Sequence, residues 1–251
     1  MAGTALQRRL TWHTAEVVEV VDETPRVRSL LLSVPDWPGH RAGQHVDVRL
    51  TADDGYQAQR SYSIASAPDA TERLVLTVER LEDGEVSPYL AGEVRAGDKL
   101  ELRGPIGGYF VWEVADGGPV QLVAGGSGIC PLMAMLRLHE ATRSTVPARL
   151  LYSSRSLAEV IYRDELERMG ASGSGVEVEL TLTREQPPTW SGLRRRIDME
   201  MLRAVTWPAP VRPMIFVCGP TPLVESVADT LVQLGHDPAR LKTERFGPTG
   251  G

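Results

Sequence analysis

The stretch Arg60-Ser61-Tyr62-Ser63-Ile64-Ala65-Ser66 combines a guanidinium, an aromatic ring and hydroxyls within a few positions. It lies between alternating apolar runs and reads as a strand, so Arg60 and Tyr62 share a face. An arginine fork matches phosphate oxygens, and a tyrosine ring offers a stacking surface. Ser63 adds a hydroxyl that suits a ring nitrogen. The set fits a ligand carrying both phosphate and a flat ring system. An ordinary exposed strand with a surface arginine would carry the same residues.

Three further stretches could do chemistry. Glu82 to Leu90 reads as a glycine turn at Gly84 entering a short helix, with Ser87 as N-cap and Pro88 as first helical residue. Free N–H groups at such a start favour a phosphate, although a plain connecting helix would look alike. Val120-Gln121-Leu122-Val123-Ala124 runs into Gly125-Gly126-Ser127-Gly128-Ile129-Cys130-Pro131, and then Leu132, Met135, Leu136 and His139 recur at helical spacing. Strand, glycine turn and helix make the βα unit that holds a pyrophosphate. It departs from the usual dinucleotide fingerprint: Pro131 stands at the third glycine, and the next strand, 148–154, ends without an acid. Cys130 reads as a packing residue rather than a nucleophile, since no histidine is placed to activate it.

The elements that must position these residues fall into two groups. Short alternating segments at 15–21, 27–34, 45–50, 74–78 and 99–102 read as strands of an antiparallel barrel or sandwich. A glycine-rich turn, Arg103 to Phe110, follows. A breaker cluster at Ala115–Pro119 marks the boundary, giving parts 1–116 and 117–251. Beyond it, strands alternate with helices expected at 157–169 and 221–234, as in a doubly wound parallel sheet. The strand 176–183 ends at Arg184.

Composition narrows the class. At 251 residues, 42% apolar and 24% charged, the chain reads as a soluble globular protein with no run long enough to span a membrane. Residues 1–11 carry Arg8 and Arg9 with no apolar segment after them, unlike a secretory signal. Cys130 and Cys218 are too few for a disulfide framework or an iron–sulfur site, which points to a reduced, cytoplasmic setting. No metal site is expected. The net charge of −6 divides as −7 over residues 1–116 and +1 over the rest, which argues against a nucleic-acid surface.

With these pieces in order, the chain resembles the ferredoxin–NADP reductase superfamily from about Ala15 to Phe246. The resemblance rests on Arg60-Ser61-Tyr62-Ser63, the Gly84 to Ser87 turn, Gly104-Pro105-Ile106-Gly107, the Gly125 to Pro131 turn and Cys218-Gly219-Pro220. It implies FAD on an N-terminal barrel and a nicotinamide dinucleotide on a C-terminal α/β domain. By likeness, Arg60 and Ser61 meet the FAD pyrophosphate, Tyr62 stacks on the flavin, and Ser63 lies near its reactive nitrogen. Gly84, Val86 and the Ser87 helix start take the pyrophosphate, favouring FAD over FMN. Gly125, Gly126, Gly128 and Pro131 hold the nicotinamide nucleotide's phosphates. Cys218, Gly219, Pro220 and Glu244 border the nicotinamide, with Ser63, Cys218 and Glu244 as the catalytic set.

Residues 244–251 are expected to follow the final strand as a glycine- and proline-rich tail, in which Phe246 either covers the flavin or anchors the terminus. Arg155 and Arg184 match a paired arrangement in NADPH-using relatives, so NADPH is expected ahead of NADH. The expected function is a flavoenzyme passing electrons from NADPH through FAD to a ferredoxin-like one-electron carrier. Alternatives are the reductase component of a multicomponent oxygenase or molybdenum enzyme, and a flavin-bearing regulatory subunit. With the chain ending at Gly251, the partner is expected to be a ferredoxin or other redox protein with its own iron–sulfur or haem centre.

Overall fold

A computed structural model describes residues 10–246. The first part is one antiparallel sheet of β1 (Trp12–Thr24), β2 (Val27–Ser33), β3 (His45–Thr51), β4 (Gln57–Ser63), β5 (Arg73–Glu79) and β6 (Lys99–Ile106). Its strand order is β4-β3-β6-β1-β2-β5, and a bridge between Ile64 and Leu76 brings the two ends together, so the sheet curls into a barrel. Leu30, Leu32, Val46, Val48, Leu74 and Leu76 are fully buried inside it. The short helix α1 (Ser87–Gly92) adds Leu90 to the same cluster.

The second part is a five-stranded parallel sheet in the order β11-β10-β7-β8-β9. Its strands are β7 (Val120–Gly125), β8 (Ala148–Ser154), β9 (Val176–Leu182), β10 (Met214–Pro220) and β11 (Leu241–Phe246). Every residue of β7 is buried, as its unbroken apolar run requires of a central strand covered on both faces. Helices α2 (Ile129–Ala141) and α3 (Arg163–Ala171) contribute to the core on one face; α4 (Met199–Val205) and α5 (Thr221–Gln233) contribute to the other. The architecture is the two-part barrel and doubly wound sheet read from the sequence. No helix among the described residues is long and apolar enough to cross a membrane.

Four local readings change. Ser87 is the first helical residue and not the N-cap; its hydroxyl accepts from the Leu81 N–H at 3.1 Å, and Val86 occupies the cap without a side-chain bond. The expected helix 157–169 is broken: Leu157–Glu159 makes one 3-10 turn, and α3 begins only at Arg163. The break is at Tyr162, whose φ of 58° is left-handed and ends any continuous helix. The strand expected at 99–102 continues through Gly104 and Pro105 to Ile106, so the glycine turn is shorter than expected. Glu244 and Phe246 do not follow the last strand; they belong to it. Residues 247–251, the rest of that expected tail, lie outside the described residues.

The barrel's outer face carries a charged row. Trp12, Arg103, Asp47 and Ser61 stand side by side on β1, β6, β3 and β4. Asp47 is buried, accepting from Ser61 Oγ at 2.7 Å and from Arg103 Nη2 at 2.7 Å. Arg49 lies over the Trp12 ring, with its guanidinium carbon 4.0 Å from the centroid, and Arg103 flanks the same ring at 5.1 Å. Burial by itself would raise the Asp47 carboxyl, but the bonds from Ser61 and Arg103 and the Arg103 charge outweigh it and hold it low.

A depressed folded pKa gives stability that is complete above the ordinary carboxylate value of about 3.9 and is lost as pH falls through the folded value. Asp47→Asn should therefore lower stability by about 1–3 kcal/mol at pH 7, because Arg103 loses its charged acceptor. Urea unfolding should show the deficit shrinking below about pH 4. A deficit independent of pH would mean that the carboxylate charge contributes nothing.

Candidate functional site

The parallel sheet reverses its winding between β7 and β10. From β7 the chain moves outward to β8 and β9, then crosses back to β10 on the other side. Ligands of doubly wound sheets bind beyond the strand C-termini at such a reversal. Here those ends are Gly125 of β7 and Cys218-Gly219-Pro220 of β10. They meet almost backbone to backbone. A Cβ on Gly128 would lie 2.2 Å from the Cys218 carbonyl oxygen, and one on Gly219 would lie 3.2 Å from the Gly125 nitrogen. Gly126 has φ +54° and open space where a side chain would go. Glycine at 128 is thus a packing requirement; at 126 it leaves the turn bare toward the open side. Pro131 is buried inside the first turn of α2, where its missing N–H is no loss.

The β10–β11 pairing places Glu244 directly beside Cys218. Glu244 Oε2 is buried without any hydrogen-bond partner among the described residues. Burial pushes its carboxyl up to about 7, so near neutral pH it can hold or release a proton. The Cys218 thiol is raised well above its ordinary value, first by burial and then by the neighbouring Glu244 charge. It stays protonated, which suits a small contact surface and not a thiolate. Cys130 is likewise buried, and its thiol is pushed up to about 12 by burial. Phe246 lies two residues along β11 from Glu244, on the same face, beside Pro220 and packed against the core cluster that contains Cys218.

On the barrel, Arg60 and Tyr62 of β4 pair with Val48 and Val46 of β3, so both stand on the face turned toward the barrel core. Arg60 remains exposed; Nη2 donates to Glu85 Oε2 at 2.7 Å, and the same carboxylate accepts from Tyr56 OH at 2.6 Å. Tyr62 is partly buried on the barrel core, and burial raises its hydroxyl pKa further. Ser63 ends the strand opposite His45. Ser61 points the other way, with its hydroxyl committed to Asp47, so only its backbone is available on the Arg60 side. A Cβ on Gly84 would crowd the Ser87 Oγ at 2.8 Å, which makes Gly84 part of the fold of its own turn.

Sequence reasoning missed Glu85 as the partner of Arg60, and Tyr56 as a second donor to that carboxylate. Glu85 adjoins Gly84 in the turn read above, and that position was the available signal.

The two nucleotide-type sites are joined by direct contacts. Arg137 of α2 donates to the carbonyl of Ala65 at 2.9 Å, just after the Arg60–Ser63 segment. Ser127 in the glycine turn donates to Glu79 of β5 at 2.8 Å. Beyond β8 and β9, the Arg184 N–H donates to the Arg155 carbonyl at 2.9 Å, bringing these two arginines together. Arg155 is half-exposed and only loosely paired with Glu159 at 3.8 Å. Glu244's unsatisfied oxygen, the bare turn at Gly126 and the arginine–tyrosine pair on β4 together fit a flavin facing a dinucleotide.

Comparison with known proteins agrees. Residues 15–111 match the family described as oxidoreductase FAD-binding domain, and residues 122–229 match the oxidoreductase NAD-binding domain. The chain is 33% identical over 242 residues to ferredoxin–NADP reductase B of Sorangium cellulosum, covering 92% of this chain and 96% of that one. The chain belongs to the ferredoxin–NADP reductase superfamily.

Other members share part or all of the same span. Glycine betaine monooxygenase reductase subunits of Pseudomonas aeruginosa are 32% identical over 248 residues, covering 95% of this chain. The chain spans 66% of the length of those relatives. Among solved structures, the FAD/NAD-binding domain of nitric oxide dioxygenase from Vibrio cholerae superposes with a TM-score of 0.84. It is 26% identical and is matched over 94% of this chain and 99% of that one. As a superfamily member the chain has an FAD-binding part followed by an NAD-binding part.

The raised Glu244 carboxyl carries a linkage consequence. A group whose folded pKa exceeds its unfolded value of about 4.3 gives stability that is full below that value and lost as pH rises through the folded pKa, about 7. The cofactor-free protein should lose stability between these values and then level off. Glu244→Gln should remove that slope, leaving the variant more stable than the parent at pH 8. Urea midpoints at pH 5 and pH 8 check this; parallel pH curves for the two proteins would show that Glu244 is not buried as an acid.

Proposed function

We propose that this protein is an FAD-dependent reductase that takes hydride from NADPH and delivers electrons singly to a ferredoxin-like carrier. The observation that supports it most is the buried, unpartnered Glu244 oxygen at the β7–β10 reversal, in a chain that also presents Arg60 and Tyr62 on its barrel. Bound flavin accepts a hydride as two electrons and can release them one at a time. The chain's own residues place and protect.

Arg60 grips the pyrophosphate once it leaves Glu85. The pair it leaves is solvent-exposed and screened, and so weakly held, whereas a phosphate can accept two parallel bonds from the guanidinium fork. Tyr62 supplies a stacking face, and Ser63 a hydroxyl at its edge. The turn from Gly125 to Pro131 takes the nicotinamide nucleotide's phosphates. Cys218 and Glu244 border the nicotinamide, and Glu244 holds or relays a proton there. A second reading, the reductase component of a multicomponent oxygenase, draws support from the names of the Pseudomonas relatives. The two readings differ only in the acceptor.

Purified protein should release FAD and not FMN on denaturation. Arg60→Ala should weaken FAD binding by about 1.5–3 kcal/mol in a fluorescence titration, less whatever the Glu85 pair returns. Unchanged affinity would remove Arg60 from the site, and a protein that cannot be reconstituted with FAD would end the reading.

NADPH preference is proposed for the joined Arg155 and Arg184, whose charges suit a 2′-phosphate at the end of a strand that lacks the ribose-binding acid. Arg155→Ala and Arg184→Ala should each shift the ratio of kcat/KM toward NADH by about tenfold or more. A ratio unmoved in both variants would assign the arginines to solvent.

A further inference from the structure

Among the described residues, Tyr162 is the one bulky residue that the fold holds in a left-handed conformation while burying it almost completely, at 4% exposure. For such a side chain this backbone is unfavourable and persists only where its surroundings enforce it. The enforcing contacts come from the other half of the molecule. The Tyr162 hydroxyl donates to Thr77 Oγ1 of β5. Thr77 Oγ1 lies 2.7 Å from Ser29 Oγ of β2, and Ser29 Oγ donates to Glu23 Oε1 at 2.5 Å.

Proton counting gives this chain a direction. Ser29 has one proton and gives it to Glu23; Thr77 must then give its own to Ser29, leaving its lone pairs for Tyr162. Each hydroxyl donates to the next, and the chain ends on a carboxylate, the arrangement in which such bonds reinforce one another. Two more contacts brace the ring. Arg137 stacks over it with its guanidinium carbon 4.8 Å from the centroid, while making a two-point ion pair with Glu165 at 2.6 and 3.0 Å. Cys130, inside the nucleotide-type turn, lies 4.0 Å from the same hydroxyl and 3.7 Å from the Thr77 carbonyl.

We infer that Tyr162 is a positioning residue: through Thr77, Ser29 and Glu23 it pegs the NAD-binding part to the FAD-binding part and so sets the separation of the two rings during hydride transfer. Its neighbours support this role. Arg137, stacked on Tyr162, is bonded to Ala65 beyond the Arg60–Ser63 segment, and Cys130 belongs to the turn that ends at Pro131. One buried side chain therefore touches supports of both nucleotide-type sites. A displacement of about 1 Å between reacting groups can slow a step by as much as a hundredfold.

The hydride part of this inference rests on the function proposed above; the peg itself does not. The test compares Tyr162→Phe, which keeps the ring and loses only the hydroxyl, with Thr77→Val and the double variant. Amide hydrogen exchange on the cofactor-free proteins should show Thr77 and Ala65 opening about tenfold more readily in Tyr162→Phe. In FAD-loaded protein at saturating NADPH, single-turnover flavin reduction should slow about tenfold or more, with the Kd for FAD and for NADP+ unchanged. Thr77→Val should give the same loss, and the double variant should be no worse than either single one.

Parental exchange and parental reduction in Tyr162→Phe would overturn the inference. Additive losses in the double variant would overturn it too, as would a weakened FAD Kd, since that would place Tyr162 in the flavin site. If the parent protein fails to bind FAD, the proposed function falls, and the exchange data still decide whether Tyr162 joins the two parts.

Discussion

The contact on which the site depends is the approach of the Gly125–Gly128 turn to the end of β10. At Gly128 the backbone comes so near the Cys218 carbonyl that a single added carbon would overlap it at 2.2 Å. Because of this contact, the N-terminus of α2 and the end of β10 share one small space. Cys218 and Glu244 are carried to its edge on adjacent strands. Any side chain at 128 would push the turn off the strand and open the reversal point of the sheet.

Two carboxylates show how burial is handled in opposite ways. Asp47 is nearly inaccessible, yet two donors and the Arg103 charge keep it ionised below its ordinary value. Glu244 is only partly buried as a residue, but its inaccessible Oε2 has no donor, so desolvation wins and its proton is retained to about neutral pH. The first serves the barrel wall. The second is an unstable arrangement for a purely structural residue, and it is found where the sheet's topology places a ligand.

The two halves share a core. Val27, Ala42, Ala65, Phe110 and Trp112 from the barrel side fall in one apolar cluster with α2, β7 and β8. Polar bonds from Ser127, Arg137 and Tyr162 run through and around that contact. Apolar area provides most of the attraction but is non-directional. Hydrogen bonds with fixed donors and acceptors choose one register among many that the apolar surfaces would tolerate.

Much of this was legible in the chain alone, because side-chain period is a local property. Alternation in 45–50 marks a half-buried strand, and the unbroken run 120–124 marks a strand covered on both faces. Punctuation by Gly125, Gly126, Gly128 and Pro131 locates the turn, and the order of the motifs carries the family. What depends on residues distant in sequence was not legible. The helical spacing of 157–169 gives no sign that Tyr162 will break it and bond to Thr77, 85 residues earlier. Ser87 looks like a cap until Leu81 takes its hydroxyl. Ser61 sits in a ligand-type motif, yet Asp47 on the neighbouring strand claims its side chain. The resemblance puts Glu244 and Cys218 at one site, but the raised Glu244 carboxyl depends on the β10–β11 register, which sets a buried oxygen beside that thiol. Tertiary structure decided these cases because hydrogen-bond partners and dielectric surroundings are set by what packs nearby in space, and neither has a period along the chain.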